Sequence, residues 1–280
     1  MATAFIDTHV HFWDQRVLPY PWLATVPAIA GPHTPAELHA ETGDRCPEKI
    51  VFVECGAPGL DEVDWIAQLA VHEPRIAGLV AKIPVDAGPA TTRAIAALQR
   101  QPLVRGVRHL IQDEPDPGFC LRPEFLAGVR ALGAAGLSFD LCCRHHQLDA
   151  VGRLVAECPG TRFILDHFGK PDIQHALRDP WHGHIAALAR LPNVDCKLSG
   201  LITEASHAAW TIDDLRPYVN HVLATFGPGR LLFGGDWPVV KLAGSYVRWL
   251  DTAHALVSHL SPADRAAVFH DNAVRVYRLT

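Results

Sequence analysis

Two histidines two residues apart, His9 and His11, lie in the stretch Phe5-Ile6-Asp7-Thr8-His9-Val10-His11-Phe12-Trp13 near the start of the chain. Its apolar and β-branched residues predict a strand, and residues two apart on a strand share a face. Asp7, His9 and His11 are therefore expected on one side, where paired imidazoles make half of a metal site or a cluster of proton donors and acceptors. Further groups of this kind follow: Glu54, Lys82, Arg108 with His109, Arg144 with His145 and His146, His167, Lys197 and Asp236. Each falls at the end of an apolar, strand-like run. Imidazoles and cations around a lone carboxylate, recurring at the ends of several strands, mark a site with groups able to take, give and stabilise charge, though not yet a particular reaction.

Asp236 lies between Gly234-Gly235 and Trp237-Pro238, where the backbone can bend tightly and an apolar wall can limit solvent. It is assigned as the general base; the competing role is a helix cap. His167 would polarise a carbonyl, or else be a core histidine bonded to backbone. The planar fork of Arg108 could clamp a carboxylate or a pair of hydroxyls, or form a structural ion pair. His145 and His146 point oppositely if the strand continues through them, and the parity of Asp140, Cys142 and Arg144 favours His146 for the pocket. Arg144, Glu54 and Trp22 join Arg108 and His146 as expected substrate contacts. Lys82 and Lys197 are possible pocket residues, though such lysines more often serve as rim charges or in buried pairs. Cys142 and Cys143 read as small core residues.

These groups must be held by elements, and eight apolar runs supply them. They are Phe5–Trp13, Lys49–Gly56, Arg75–Val85, Val104–Ile111, Ser138–His146, Arg162–Pro171, Val194–Gly200 and Arg230–Pro238. Helical stretches alternate with them: Asp61–His72, Ala90–Arg100, Arg122–Ala135, Leu148–Cys158, His182–Leu191, Asp213–Phe226, Ser245–Leu260 and Pro262–Tyr277. Strands without polar alternation fit a parallel sheet covered by helices, and the count of eight favours a closed (β/α)8 barrel. The fold class is α/β, one barrel domain over residues 1–280. The segment Asp14–Pro35, with Tyr20 and Trp22, is a lid over a ligand or a plug for the core. A second long loop is Gln112–Leu121.

A formal charge of −5 with no basic run argues against a nucleic-acid partner. No apolar run is long enough for a membrane span. Seven cysteines without CxxC spacing suit a reducing, cytoplasmic setting rather than a disulfide framework. Oligomeric state is not legible.

Asp7-Thr8-His9-Val10-His11, Asp166-His167-Phe168-Gly169-Lys170-Pro171, Lys197-Leu198-Ser199-Gly200 and Gly234-Gly235-Asp236-Trp237-Pro238 resemble segments of the amidohydrolase superfamily. More closely, they resemble its branch of sugar-lactone and dicarboxylate lactonases, over Phe5 to about Tyr277. The resemblance implies a distorted TIM barrel that opens a small sugar-derived lactone, such as L-fuconolactone or a related aldonolactone, with Asp236, His167, His11 and His9 as the catalytic set. Gly235 departs from the pattern, which often has Ser there.

By ligand type, His9, His11 and Asp236, with His145 or His146, would hold one zinc or other divalent ion. Arg108 and His109 on the fourth strand disfavour a second. The resemblance also implies turnover without a firmly held metal. Two alternatives stand beside the lactonase: a zinc-dependent, non-hydrolytic decarboxylase of the same superfamily, and a catalytically idle barrel that binds a sugar acid. The intact set of His9, His11, His167 and Asp236 argues against the idle barrel.

Overall fold

The eight apolar runs pair as parallel strands in chain order: β1 Ile6–Val10, β2 Lys49–Val53, β3 Ile76–Ala81, β4 Val104–Leu110, β5 Ser138–Cys142, β6 Phe163–Leu165, β7 Val194–Leu198 and β8 Leu231–Phe233. This computed structural model describes residues 4–280, so the first three residues of the expected 1–280 domain lie outside the described residues. Ten α-helices are described, from α1 (Pro35–Thr42) through α2 (Asp61–His72) and α8 (Tyr246–Leu256) to α10 (Asn272–Tyr277). The arrangement is the expected single-domain distorted (β/α)8 barrel.

The barrel closes between β1 and the end of β8 with the residues that follow it. The Asp236 N–H donates to His9 O at 2.8 Å and the His11 N–H to Trp237 O at 2.7 Å. The Thr8 hydroxyl donates to Phe233 O at 2.7 Å. Inside, the lower layer is apolar: Ile6, Val51, Val53, Val80, Ile164 and Leu232, sealed from below by Val276 and Tyr277 of α10. Above it lies a buried charged layer, and above that an open cavity at the C-terminal ends of the strands, where barrels of this type carry their chemistry.

Three departures from the sequence reading bear on the site. First, β1 does not keep a strict two-residue period. Asp7 faces Ile50 but Val10 faces Phe52, so one extra residue is bulged in between. Asp7 consequently turns away from His9 and His11 to the seam, where it accepts from Gly235 N at 2.8 Å and the Tyr246 hydroxyl at 2.8 Å. Second, β5 stops at Cys142, and His145–Gln147 form a separate 3-10 turn. Third, the expected last helix is broken by a π turn at Ala267–Asp271. Helix α1 was not anticipated, although its capping box, with the Thr34 hydroxyl accepting from Ala36 N and Glu37 accepting from Thr34 N, is written in Thr34-Pro35-Ala36-Glu37.

Candidate active site

A cavity of about 700 Å³ opens at the C-terminal end of the barrel, lined at its floor by His11, Glu54, Arg108, His167 and Asp236. Trp13, Trp22 and Ile29 form one wall. Lys82, Arg144 and Lys170 stand at its sides, and Cys142 also lines it rather than packing only in the core. The Asp14–Pro35 segment is folded as a lid by short 3-10 turns at Pro21–Thr25 and Pro27–Ile29. Its Trp22 indole donates to Cys55 O at 2.7 Å, while Trp13 donates to Ile29 O and Gly31 O. Tyr20 is buried beneath as core, so the two aromatic residues divide the roles of cover and plug.

Asp236 takes a left-handed backbone conformation, φ +55°, just past the Gly-Gly turn. That turn swings its carboxylate over the barrel mouth, with Oδ1 3.8 Å from His9 Nε2 and 3.6 Å from His11 Nε2. Burial opposes its charge, but His167, His11 and His9 together hold the carboxyl well below the usual carboxylate range. It is therefore held ionised at neutral and mildly acidic pH. His11 is oriented from behind by donating its Nδ1–H to Val53 O at 2.8 Å, which aims Nε2 at Asp236. His167 also stands on left-handed backbone, φ +51°, and its Nδ1 bonds Ser199 Oγ at 2.8 Å. The glycine after Ser199 lets this happen: a Cβ on Gly200 would lie 2.4 Å from His167 Nδ1.

Beneath these groups lies a charged layer that the sequence reading does not anticipate, although Asp140 and Asp166 share faces with inward residues of β5 and β6. Lys197 Nζ is 2.6 Å from Asp140 Oδ2 and 2.9 Å from Asp166 Oδ1, and the Tyr277 hydroxyl also donates to Asp140 at 2.8 Å. Arg108 combines both of its expected roles. It lines the cavity, and it donates to Glu54 Oε1 at 2.8 Å and Glu54 O at 2.7 Å, with Asp166 Oδ2 at 3.5 Å. Glu54 is thus the buried partner that fixes the arginine. Lys82 is an exposed rim charge and Lys197 a fully buried one.

The histidines after β5 fall outside this assembly. His146 is exposed on its 3-10 turn and His145 faces a small neighbouring depression with Asp172 and Glu204, so neither reaches the floor. The strand ends three residues too early for the parity argument to carry to them. The carboxylates and imidazoles that do converge form two overlapping trios, His9 with His11 and Asp236, and His9 with Asp166 and His167, each with ligand atoms within 4.8 Å of one another. At Gly235, a Cβ would lie 2.3 Å from Asp7 Oδ2 and 2.3 Å from the Tyr246 ring. A serine has no room there, which explains the glycine.

Burial pushes His167 down to about 4. In the unfolded chain a histidine titrates near 6.5, so as pH falls from about 6.5 to 4 the unfolded state takes up a proton that the folded state refuses. Stability from this residue is complete above about pH 6.5 and is lost on acidification, by roughly 3 kcal/mol over the full interval. Asp7, pushed up to about 7, and Glu62, pushed up to about 8, both by burial, act with the opposite sign and lose stability as pH rises. Urea midpoints of the wild type and His167→Gln at pH 7 and 4.5 isolate the histidine: the acid-induced drop should be larger in the wild type. Equal drops would refute the assignment.

The family described as Amidohydrolase matches residues 6–279. The L-fucono-1,5-lactonase of Burkholderia multivorans is 36% identical, the alignment covering 100% of this chain and 97% of that protein. The L-fucono-1,5-lactonase of Burkholderia ambifaria is 33% identical over 98% of this chain and 95% of its own length. A crystal structure of an amidohydrolase from Burkholderia multivorans with bound zinc superposes with a TM-score of 0.89 at 33% identity, covering 99% of this chain and 100% of that one. With the match spanning all eight strands and the cavity they surround, this chain belongs to the amidohydrolase family.

Proposed function

We propose that the cavity opens a sugar-derived lactone to its hydroxy acid, with Asp236 as general base. The observation that carries this is the ionised, buried Asp236 carboxylate facing His11 and His9 across the floor of a cavity large enough for a sugar ring. Lactonases among the relatives support the substrate class.

In this reading a lactone lies with its carbonyl over His167 and Arg108. Asp236 takes a proton from water as the water oxygen attacks the carbonyl carbon. The imidazole of His167 and the guanidinium of Arg108, the latter held charged by Glu54 against the opposing effect of burial, stabilise the developing oxyanion. The ring C–O bond then breaks, and the proton held by Asp236 passes to the departing alkoxide oxygen. Lys82, Arg144 and Lys170 face the hydroxyls and the new carboxylate, and Trp13 and Trp22 exclude bulk water. His9 and His11 align Asp236.

The donor set fits zinc: His9, His11 and Asp236 offer three ligand atoms in mutual reach and leave one position open. Zinc held there would polarise the carbonyl as a Lewis acid. The seven cysteines, all unpaired thiols, support a reducing cytosolic location. Among the described residues no helix is long and apolar enough to cross a membrane.

Acid release measured with a pH indicator across sugar 1,4- and 1,5-lactones tests the reading, before and after exhaustive chelation. Hydrolysis of at least one aldonolactone is expected, and it should survive chelation. No acid from any lactone would overturn the proposal.

A further inference from the structure

Asp236 stands on left-handed backbone, φ +55°, a conformation that a residue with a Cβ keeps only where its surroundings enforce it. The residues on both sides of it are fixed by carboxylates that do not line the cavity. Before it, Asp7 Oδ1 accepts from Gly235 N at 2.8 Å. After it, Glu41 Oε2 accepts from the Trp237 indole Nε1–H at 2.9 Å. Glu41 lies on α1, in the last turn before the helix ends at Thr42.

The two acids share a brace. Tyr246, the first residue of α8, donates its hydroxyl to Asp7 Oδ2 at 2.8 Å and its backbone N–H to Glu41 Oε1 at 3.1 Å. Both oxygens of each carboxylate are therefore used, and the turn at 234–237 is tied from either side to one residue. Lys241 Nζ stands 3.8 Å from Glu41 Oε2, beyond hydrogen-bond reach, so the bonds of this side chain go to the turn and to α8. Trp237 is fully buried, with the His33 and Phe12 rings 5.2 and 6.0 Å from its own. Without Glu41 its indole would be left as a buried donor lacking its acceptor, and the ring would be drawn to a new place. Such a shift reaches the site directly. Trp237 follows Asp236 in the chain, and its carbonyl accepts from His11 N at 2.7 Å.

We propose that Glu41 is a positioning residue for Asp236, holding the Trp237 indole and the start of α8 so that the carboxylate stays aimed over the cavity floor. It touches neither the substrate nor the reacting atoms. Asp7 makes the matching tie, but its Oδ1 also accepts from His9 N, so substituting it would disturb the histidines directly. Glu41 is the residue to test. The inference rests on the reading of Asp236 as general base.

Glu41→Ala and Glu41→Gln are compared in the wild type and in Asp236→Asn, on a lactone that the wild type hydrolyses. Glu41→Ala is expected to lower kcat about 10- to 100-fold while KM stays within about threefold. Glu41→Gln keeps one acceptor oxygen and should fall between it and the wild type. In Asp236→Asn no base is left to aim, so Glu41→Ala should change the residual rate by less than about twofold. Equal losses in the two backgrounds would mean a role in stability alone and would overturn the proposal. So would a folded Glu41→Ala enzyme with the wild-type kcat. If Asp236→Asn keeps its rate, the base assignment itself fails; if only Glu41→Ala does, the base stands and this inference falls. Amide exchange needs no substrate. The Asp236 and His11 N–H groups should exchange about tenfold faster in Glu41→Ala than in the wild type. The Phe139 N–H, bonded to Arg162 O at 2.8 Å on the opposite side of the barrel, should not change. Unaltered protection of Asp236 and His11 would refute the inference.

Discussion

Replacing Asp236 with asparagine is expected to lower kcat/KM on a sugar lactone by about 10²- to 10⁴-fold, the range that a positioned general base supplies. The substitution suits the backbone, since asparagine tolerates the left-handed conformation that Asp236 adopts at φ +55°. The amide keeps the shape and an acceptor oxygen toward His11 and His9. What it loses is the ability to take a proton. The thermal midpoint should therefore stay close to that of the wild type while turnover collapses. Activity within tenfold of the wild type, in a variant that folds, would remove Asp236 from the base role. Because the neighbouring imidazoles hold this carboxyl well below the ordinary range, mild acid should not abolish activity through Asp236. An acid limb should instead appear near pH 4, where His167 gains a proton.

A methyl group at Gly200 is expected to be nearly as damaging, though it touches no substrate. Gly200 has φ +61°, a conformation costly for any residue with a Cβ, and its Cβ would lie 2.4 Å from His167 Nδ1 and 3.1 Å from Asp236 Oδ2. His167 cannot simply swing aside, because it is buried, bonded to Ser199 and held on left-handed backbone of its own. Gly200→Ala should cost about 1–3 kcal/mol of stability from backbone strain. Displacing the imidazole by a fraction of an ångström or more should reduce turnover by about 10²-fold. Gly31→Ala, where a Cβ meets nothing within 4 Å, is the control and should be neutral in both assays. A Gly200→Ala enzyme with an unchanged rate would mean that the His167 position does not matter.

The barrel was legible because eight apolar runs with helices between them admit few other packings, and each run ends in a polar residue whose exposure only the C-terminal face can accommodate. Asp236, His167 and the His9–His11 pair were legible for the same reason. Parity failed where strands stop being regular. The bulge in β1 took Asp7 to the seam, and the early end of β5 took His145 and His146 out of reach. The Lys197, Asp140 and Asp166 network was missed because no spacing in the chain announces which inward charges from three strands will meet. Only the radius of the closed barrel brings them within hydrogen-bond distance.

The seam between β1 and the residues after β8 carries a kinetic consequence. His9, His11 and Asp236 come from opposite ends of the chain and acquire their geometry only when His9 O accepts from Asp236 N and Trp237 O from His11 N. Contacts of such sequence separation are late and slow in folding. A refolding population can therefore recover its helical circular dichroism and most of its buried apolar surface while remaining without turnover. Regain of activity reports the joining of first strand to last, and the delay between the two signals measures how long the open, slotted cylinder persists before it becomes an enzyme.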